Sequence, residues 1–245
     1  MACSLALLSA CAHDRREAAE SVDTPVAPVA AHVVAPAPAP PAPVKPATAR
    51  DSSRVNHWTT DWTPLFDGQS LTNWAVTDFG GHGAVDAGAG RINIPVGDEL
   101  TGITWTNGTL PKTDYELYLE TMKVDGSDFF CGLTFPVADS SCSLIIGGWG
   151  GAVIGLSSLD DNDASENETS RTASLKTNCW YRVRLRVTPA KIEAWLDDDK
   201  IVDASIAGRK VSLRPGPIYL SAPLGVASYE TSAAIREFKL RLIEH

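Results

Sequence analysis

The feature that most constrains this chain is a side-chain period of two. In Trp180–Thr188, Tyr181, Val183, Leu185 and Val187 make one face, and Arg182, Arg184 and Arg186 make the other. Tyr115–Val124 repeats the pattern: Tyr115, Leu117, Leu119 and Thr121 oppose Glu116, Tyr118, Glu120 and Met122. Lys191–Leu196 sets Ile192, Ala194 and Leu196 against Glu193 and Trp195, and in Ile235–Ile243 Phe238, Leu240 and Leu242 oppose Glu237, Lys239 and Arg241. Successive side chains of a strand point to opposite faces, so each segment reads as a half-buried strand. No amphipathic helix of three turns is legible after residue 56. Short strands joined by Gly, Asp, Asn and Pro turns predict an all-β fold, a jelly-roll β-sandwich of two antiparallel sheets.

The turns are equally legible. Asp67-Gly68, Asn107-Gly108 and Asp125-Gly126 are strong turn signals. The runs Phe129–Phe135 and Cys142–Ile146 flank Val137–Ser141 as a hairpin. Gly147–Gly151 then reads GGWGG, ahead of a further strand at Ala152–Leu156. Glycine weakens strands and marks close backbone approach, so this segment is either a tight corner or a mount that presents Trp149 beside a groove.

The first 55 residues do not read as domain material. Residues 1–10 precede Cys11 in the sequence Leu8-Ser9-Ala10-Cys11, which resembles a bacterial lipoprotein signal with Cys11 as the lipidated residue. Residues 11–55 hold a tract of Ala, Pro and Val with eight prolines between residues 22 and 49. Proline fixes φ and removes a donor, so the tract is expected to be a disordered, extended tether. The folded domain is expected over 56–245. The protein is therefore expected to be exported and lipid-anchored on the periplasmic or cell-surface side of a bacterial membrane.

A formal charge of −9, from 30 acidic and 21 basic residues, comes with no basic cluster and argues against nucleic acid. No stretch of 18 apolar residues is available to span a bilayer as a helix. The five cysteines form no C-x-x-C pair, which argues against structural zinc. Cys131 and Cys142 flank the hairpin turn and are close enough in sequence for a disulfide whose formation depends on which way they face. No G-x-S-x-G is present.

The opening motif W-x-x-L-F-D-G-x-S-L-x-x-W at Trp62–Trp74 resembles that of the DUF1080 family, the 3-keto-disaccharide hydrolase domain. Tyr115-Glu116-Leu117, Cys131-Gly132-Leu133, Trp180–Val187 and Ile235-Arg236-Glu237-Phe238 are similar to its further marks. The resemblance spans about residues 60–245. It implies a concanavalin A-like jelly roll and hydrolysis of an extracytoplasmic 3-keto-glycoside. Where the family carries N-S-G-I and then a strand with Glu and Gln, this chain has Phe130-Cys131-Gly132-Leu133 and Cys142-Ser143-Leu144-Ile145.

Glycosidic hydrolysis commonly uses two carboxylates about 5–9 Å apart. The candidates for acid and base are Glu166, Glu168, Asp128 and Glu193. Trp149, Trp195, Arg171 and Arg184 are candidates for substrate binding. Asp160, Asp161 and Asp163 form an acidic run whose oxygens could gather around Ca²⁺. Opposed strands bring the arginines of 180–188 near Glu193 and Trp195, either as a solvated face of ion pairs or as a concave face that meets a polar ligand. Three functions compete: a glycan-processing hydrolase, a non-catalytic carbohydrate-binding module, and a structural cell-surface domain. Close, shielded carboxylates would mark the first, and exposed rings without them the second.

Overall fold

The computed structural model describes residues 58–244. Cys11, the tether and residues 56–57 lie outside the described residues. In chain order the strands are β1 (Thr63–Pro64), β2 (Trp74–Val76), β3 (Asp86–Gly88), β4 (Arg91–Ile94), β5 (Leu100–Trp105), β6 (Tyr115–Gly126), β7 (Cys131–Val137) and β8 (Ser140–Gly147). They continue as β9 (Val153–Ser157), β10 (Arg171–Thr172), β11 (Trp180–Val187), β12 (Lys191–Leu196), β13 (Asp199–Ser205), β14 (Gly225–Tyr229) and β15 (Thr231–Leu242). Pro217–Ser221 forms a short 3₁₀ helix. No helix among the described residues is long and apolar enough to cross a membrane.

The strands form two antiparallel sheets, as the alternation predicts. The first runs β13-β12-β11-β6-β15-β4-β3, with β1 also paired to β15; the second runs β10-β9-β8-β7-β14-β5-β2. Leu117, Leu119, Val183, Leu185, Ile235 and Phe238 of the first sheet and Ile103, Leu133, Phe135, Leu144, Ile146 and Val226 of the second are fully or almost fully buried in one core. Each such side chain contributes about 1.5–3 kcal/mol on burial, which is why the one-sided pattern fixes the strand faces.

The opening motif closes one end of this core. Asp67 accepts hydrogen bonds from the amides of Gln69 and Ser70, at 2.8 and 2.7 Å, and from the Ser70 hydroxyl. The loop so held brings Trp74 back over the core, where its indole N–H donates to the Leu65 carbonyl at 2.8 Å and its ring stacks on Phe238. Leu65 is tied in turn to the backbone of Phe238. The motif is thus a fastening between the start of the domain and its last strand.

The ladders of the first sheet shift register at Ala194/Trp195, at Ser232/Ala233 and at a third place that reshapes the core. The third shift falls between Arg236 and Lys239, where Glu237 has φ 55°. This bulge lets Ile235 and Phe238 both enter the core, although they are three residues apart. Cys131 and Cys142 are free and buried; Cys131 sits opposite Ile146 and Cys142 opposite Phe135, so no bridge joins them.

Candidate functional site

On the second sheet, the residues between core positions face away from the core in two straight rows. Gly102, Ala227, Gly132, Ile145 and Gly155 lie side by side across β5, β14, β7, β8 and β9. Thr104, Gly225, Thr134, Ser143 and Ser157 form the next row. The first row is small enough for other segments to settle on it. A Cβ on Gly132 would fall 3.0 Å from the Phe129 ring, and one on Gly155 would fall 2.8 Å from the Ala164 carbonyl oxygen.

A cleft of about 360 Å³ lies on this face. Its floor includes Ser143, Ile145 and Ser157, and its walls carry Glu99, Asp128, Trp149, Arg214 and Tyr229. A strap at 215–218 forms the rim. The GGWGG segment is a turn rather than a regular helix: Gly147, Trp149 and Gly150 have φ of 83, 50 and 80°. Glycine tolerates this region; tryptophan there is strained and is held by its surroundings. Asp128 supplies the hold. Its Oδ2 accepts from the amide of Gly150 at 2.9 Å and its Oδ1 from that of Phe129 at 2.8 Å. Trp149 emerges 40% exposed, facing the guanidinium of Arg214 at 5.7 Å.

On the opposite side Tyr229 stacks on Phe129, with ring centroids 5.9 Å apart. The carboxylate of Glu230 pushes the Tyr229 phenol above its ordinary value; partial burial and the charges of Glu99 and Asp128 add to this, and Arg214 opposes it. Arg214 itself is anchored at 2.8 Å by Asp163, whose other oxygen accepts from the Ser157 hydroxyl at 2.6 Å.

The candidates read from sequence separate. Trp149 and Asp128 come together at the cleft. Glu168 pairs with Arg209 on the surface loop. The Arg209 guanidinium lowers the carboxyls of both Glu168 and Asp160 below their ordinary values. Glu166 is exposed on the same loop, held by a long 3.5 Å contact from the Asp163 amide. Arg171 is exposed on β10. None of these four lines the cleft. Glu193, Trp195 and Arg184 lie on the first sheet, and Arg184 stacks on Trp195 at 3.9 Å.

Asp160, Asp161 and Asp163 do not converge on a cation site: each faces its own base, Arg209, Lys210 and Arg214 respectively. Among the described residues no three His, Cys, Asp or Glu side chains gather as metal ligands. The acidic loop is ordered instead by Asn167, whose amide donates to the carbonyls of Leu156, Asn162 and Asp163.

Sequence reasoning missed Glu99, Arg214 and Tyr229. They come from three distant parts of the chain, and no local spacing links them.

The model of the 3-keto-alpha-glucoside-1,2-lyase-like domain family matches residues 61–230. The chain belongs to this family. It is therefore a member of a glycan-related group of jelly-roll domains. No curated protein sequence matched. Among solved structures the domain is similar to the carbohydrate-binding module CBM66 from Bacillus subtilis, at 11% identity and TM-score 0.48, covering 73% of this chain and 99% of that one. It is also similar to a putative glycosyl hydrolase from Parabacteroides distasonis, at 13% identity and TM-score 0.46, covering 76% and 95%. A third is a protein from a study of endo-acting O-glycanases of the human gut microbiota, at 10% identity and TM-score 0.49, covering 74% and 100%.

Proposed function

We propose that the cleft between Trp149 and Tyr229 binds a glycan and that the domain processes a 3-keto-glycoside there, in an exported protein anchored through Cys11. The observation that carries this reading is the contrast between the two carboxylates on the cleft wall. Asp128 commits both oxygens to backbone amides. Glu99 is exposed and makes no side-chain hydrogen bond or ion pair among the described residues.

One free carboxylate fits elimination better than double-carboxylate hydrolysis. A ketone at C3 acidifies the hydrogen on C2, so one base suffices to start the reaction. Glu99 takes that proton, the C1–O bond breaks, and the leaving oxygen takes a proton from the Tyr229 phenol, which carries its proton near neutrality. Addition of water to the resulting double bond completes a net hydrolysis and restores both groups. Trp149 and the Tyr229–Phe129 stack offer apolar ring faces, and Arg214 offers donors to hydroxyl groups.

The second reading is a binding module without turnover. It is favoured by Ser143 and Ile145, which occupy the cleft floor on β8, a strand that carries no carboxylate. One assay separates the two. The full chain is incubated with 3-keto-glucosides and with their unoxidised parents, and binding and release of the leaving sugar are followed together. Glu99→Gln is expected to lower turnover by about 10²–10⁴-fold while leaving binding in place, the usual range for a lost general base. Trp149→Ala is expected to weaken binding about ten-fold. Saturable binding with no release would select the module; no binding at all would refute both readings.

A further inference from the structure

The outward face of the first sheet carries a second site, built around a buried carboxylate. Glu116 is completely buried, yet it lies on the face of β6 that points away from the core. Three guanidiniums enclose it. Arg186 donates from Nε to Oε1 at 2.8 Å, Arg241 donates from Nε and Nη2 to Oε2 at 2.8 and 2.5 Å, and Arg184 stands 3.5 Å from Oε1. Register explains the convergence: Arg241, Glu116, Arg186 and Glu193 face one another in a row across β15, β6, β11 and β12. The Glu193 charge is matched by Lys200 at 2.5 Å. Arg186 also stands 3.8 Å from Glu193, and Lys191 and Lys200 both pair with Asp203, so five positive charges (Arg184, Arg186, Arg241, Lys191 and Lys200) share three negative ones (Glu116, Glu193 and Asp203), a local surplus of two in a protein whose formal charge is −9.

Two of the arginines are also packed against rings. Arg184 lies over the Trp195 ring at 3.9 Å, and Arg241 lies over Trp62 at 4.4 Å. Arg184 is 36% exposed and commits no N–H to a hydrogen bond among the described residues. A guanidinium fixed by stacking, desolvated on one face and still carrying its donors, is preorganised for a planar oxyanion. The next row runs Lys239, Tyr118, Arg184, Trp195 and Lys200, so cations recur on alternate strands, about 10 Å apart, with aromatic rings between them. A sheet surface offers little enclosure, and a ligand gains contact there only by running across strands.

We propose that this face binds an acidic polysaccharide, with a uronate carboxylate seated on Arg184 and its chain crossing β15, β6, β11 and β12. Charge complementarity selects the anion, the guanidinium fork fits the two oxygens of a carboxylate, and the row of rings across the strands favours an extended polymer over a compact ion. The site is separate from the cleft and does not depend on what the cleft does.

The test uses the full chain and polygalacturonate as probe, with neutral dextran and dextran sulfate as comparisons, by titration calorimetry at low and high salt. Polygalacturonate is expected to bind and to weaken as salt rises, and dextran not to bind. Arg184→Ala and Arg184→Lys are each expected to weaken binding about ten-fold or more, because the lysine keeps the charge but loses the fork. Trp149→Ala, which alters only the cleft, is expected to leave polygalacturonate binding unchanged, so failure here is distinct from failure of the cleft reading. No binding by the wild type, full binding by Arg184→Lys, or loss of binding in Trp149→Ala would each overturn the proposal. Equal affinity for dextran sulfate would overturn the choice of a carboxylate. Melting curves establish that the variants fold, and Arg184→Lys carries the test if Arg184→Ala does not.

Discussion

At the scale of single residues, Glu116 decides how one face of the molecule is built. A buried carboxylate left without its arginines, or arginines left without it, strands charge in a poor solvent. Breaking such a cluster from one side costs about 3–5 kcal/mol. Glu116→Ala is accordingly expected to lower the free energy of unfolding by roughly that amount in urea denaturation, whereas a loss under 1 kcal/mol would mean that water already reaches the site. The cysteines give a second residue-scale expectation. Burial pushes the thiols of Cys131 and Cys142 up to about 12, so neither ionises near neutrality. A thiol reagent should modify exposed Cys179 in the folded domain and reach Cys131 and Cys142 only on unfolding. Labelling of either buried thiol in native protein would contradict this. Glu116 also shows what the sequence left open about the charged face. Alternation placed the residue correctly on the outward side of β6. Its burial depends on Arg184, Arg186 and Arg241, two of them on β11 and one on β15, and one-dimensional periodicity carries no information about which strands become neighbours.

At the scale of elements, the corner at Gly148–Gly151 and the acidic loop that follows β9 depend on different kinds of support. Asp128 is the strut of the corner. Asp128→Asn keeps an acceptor for one amide but removes the charge and the second acceptor. It is expected to cost about 1–2 kcal/mol of stability and to weaken ligand binding through a displaced Trp149; a shift in Trp149 fluorescence without ligand would report the displacement. If binding were lost with the fluorescence unchanged, Asp128 would be contacting ligand instead. The acidic loop depends on Arg209. Asp160 and Glu168 have ordinary values of 3.8 and 4.5, and both are lowered in the folded protein. Lowered carboxyl pKa values mean stability that is present above those ordinary values and lost as pH falls through the depressed ones. Hydrogen exchange in residues 158–170 should therefore accelerate below about pH 4 in the wild type. Arg209→Ala should exchange fast already at neutral pH, with a flatter acid response. The same comparison shows what was legible in the loop. Its acidity was plain in the sequence, but its pairing with Arg209, Lys210 and Arg214, some fifty residues on, was not, so a run of ion pairs resembled a nest of cation ligands.

At the scale of the whole molecule, the two faces have opposite characters because the sheets are built from opposite ends of the chain's repertoire. The first sheet uses long, charged, alternating strands, and its outer face becomes a lattice of ion pairs and stacked rings. The second uses glycine, serine and threonine, so that Phe129, the loop and the 215–218 strap can lie close and leave a cleft. Closure of both depends on the last thirty residues. In the first sheet β15 lies between β6 and β4, contributes Ile235, Phe238 and Leu240 to the core, and receives the opening motif through Leu65 and Trp74. Its partner β6 lies more than a hundred residues earlier, as the pairing of Arg241 with Glu116 shows. Such long loop closures raise the entropic barrier before any native contact compensates it, so the fold should assemble slowly and all at once. A chain ending after Tyr229 keeps the hairpin β7–β8 and the pair β11–β12 but opens the middle of a sheet. It is expected to show no cooperative thermal transition by circular dichroism, and to bind a hydrophobic dye. A cooperative melt from that fragment would mean that β6 and β11 form a stable sheet without β15, and that the last strand docks onto a finished domain instead of completing it.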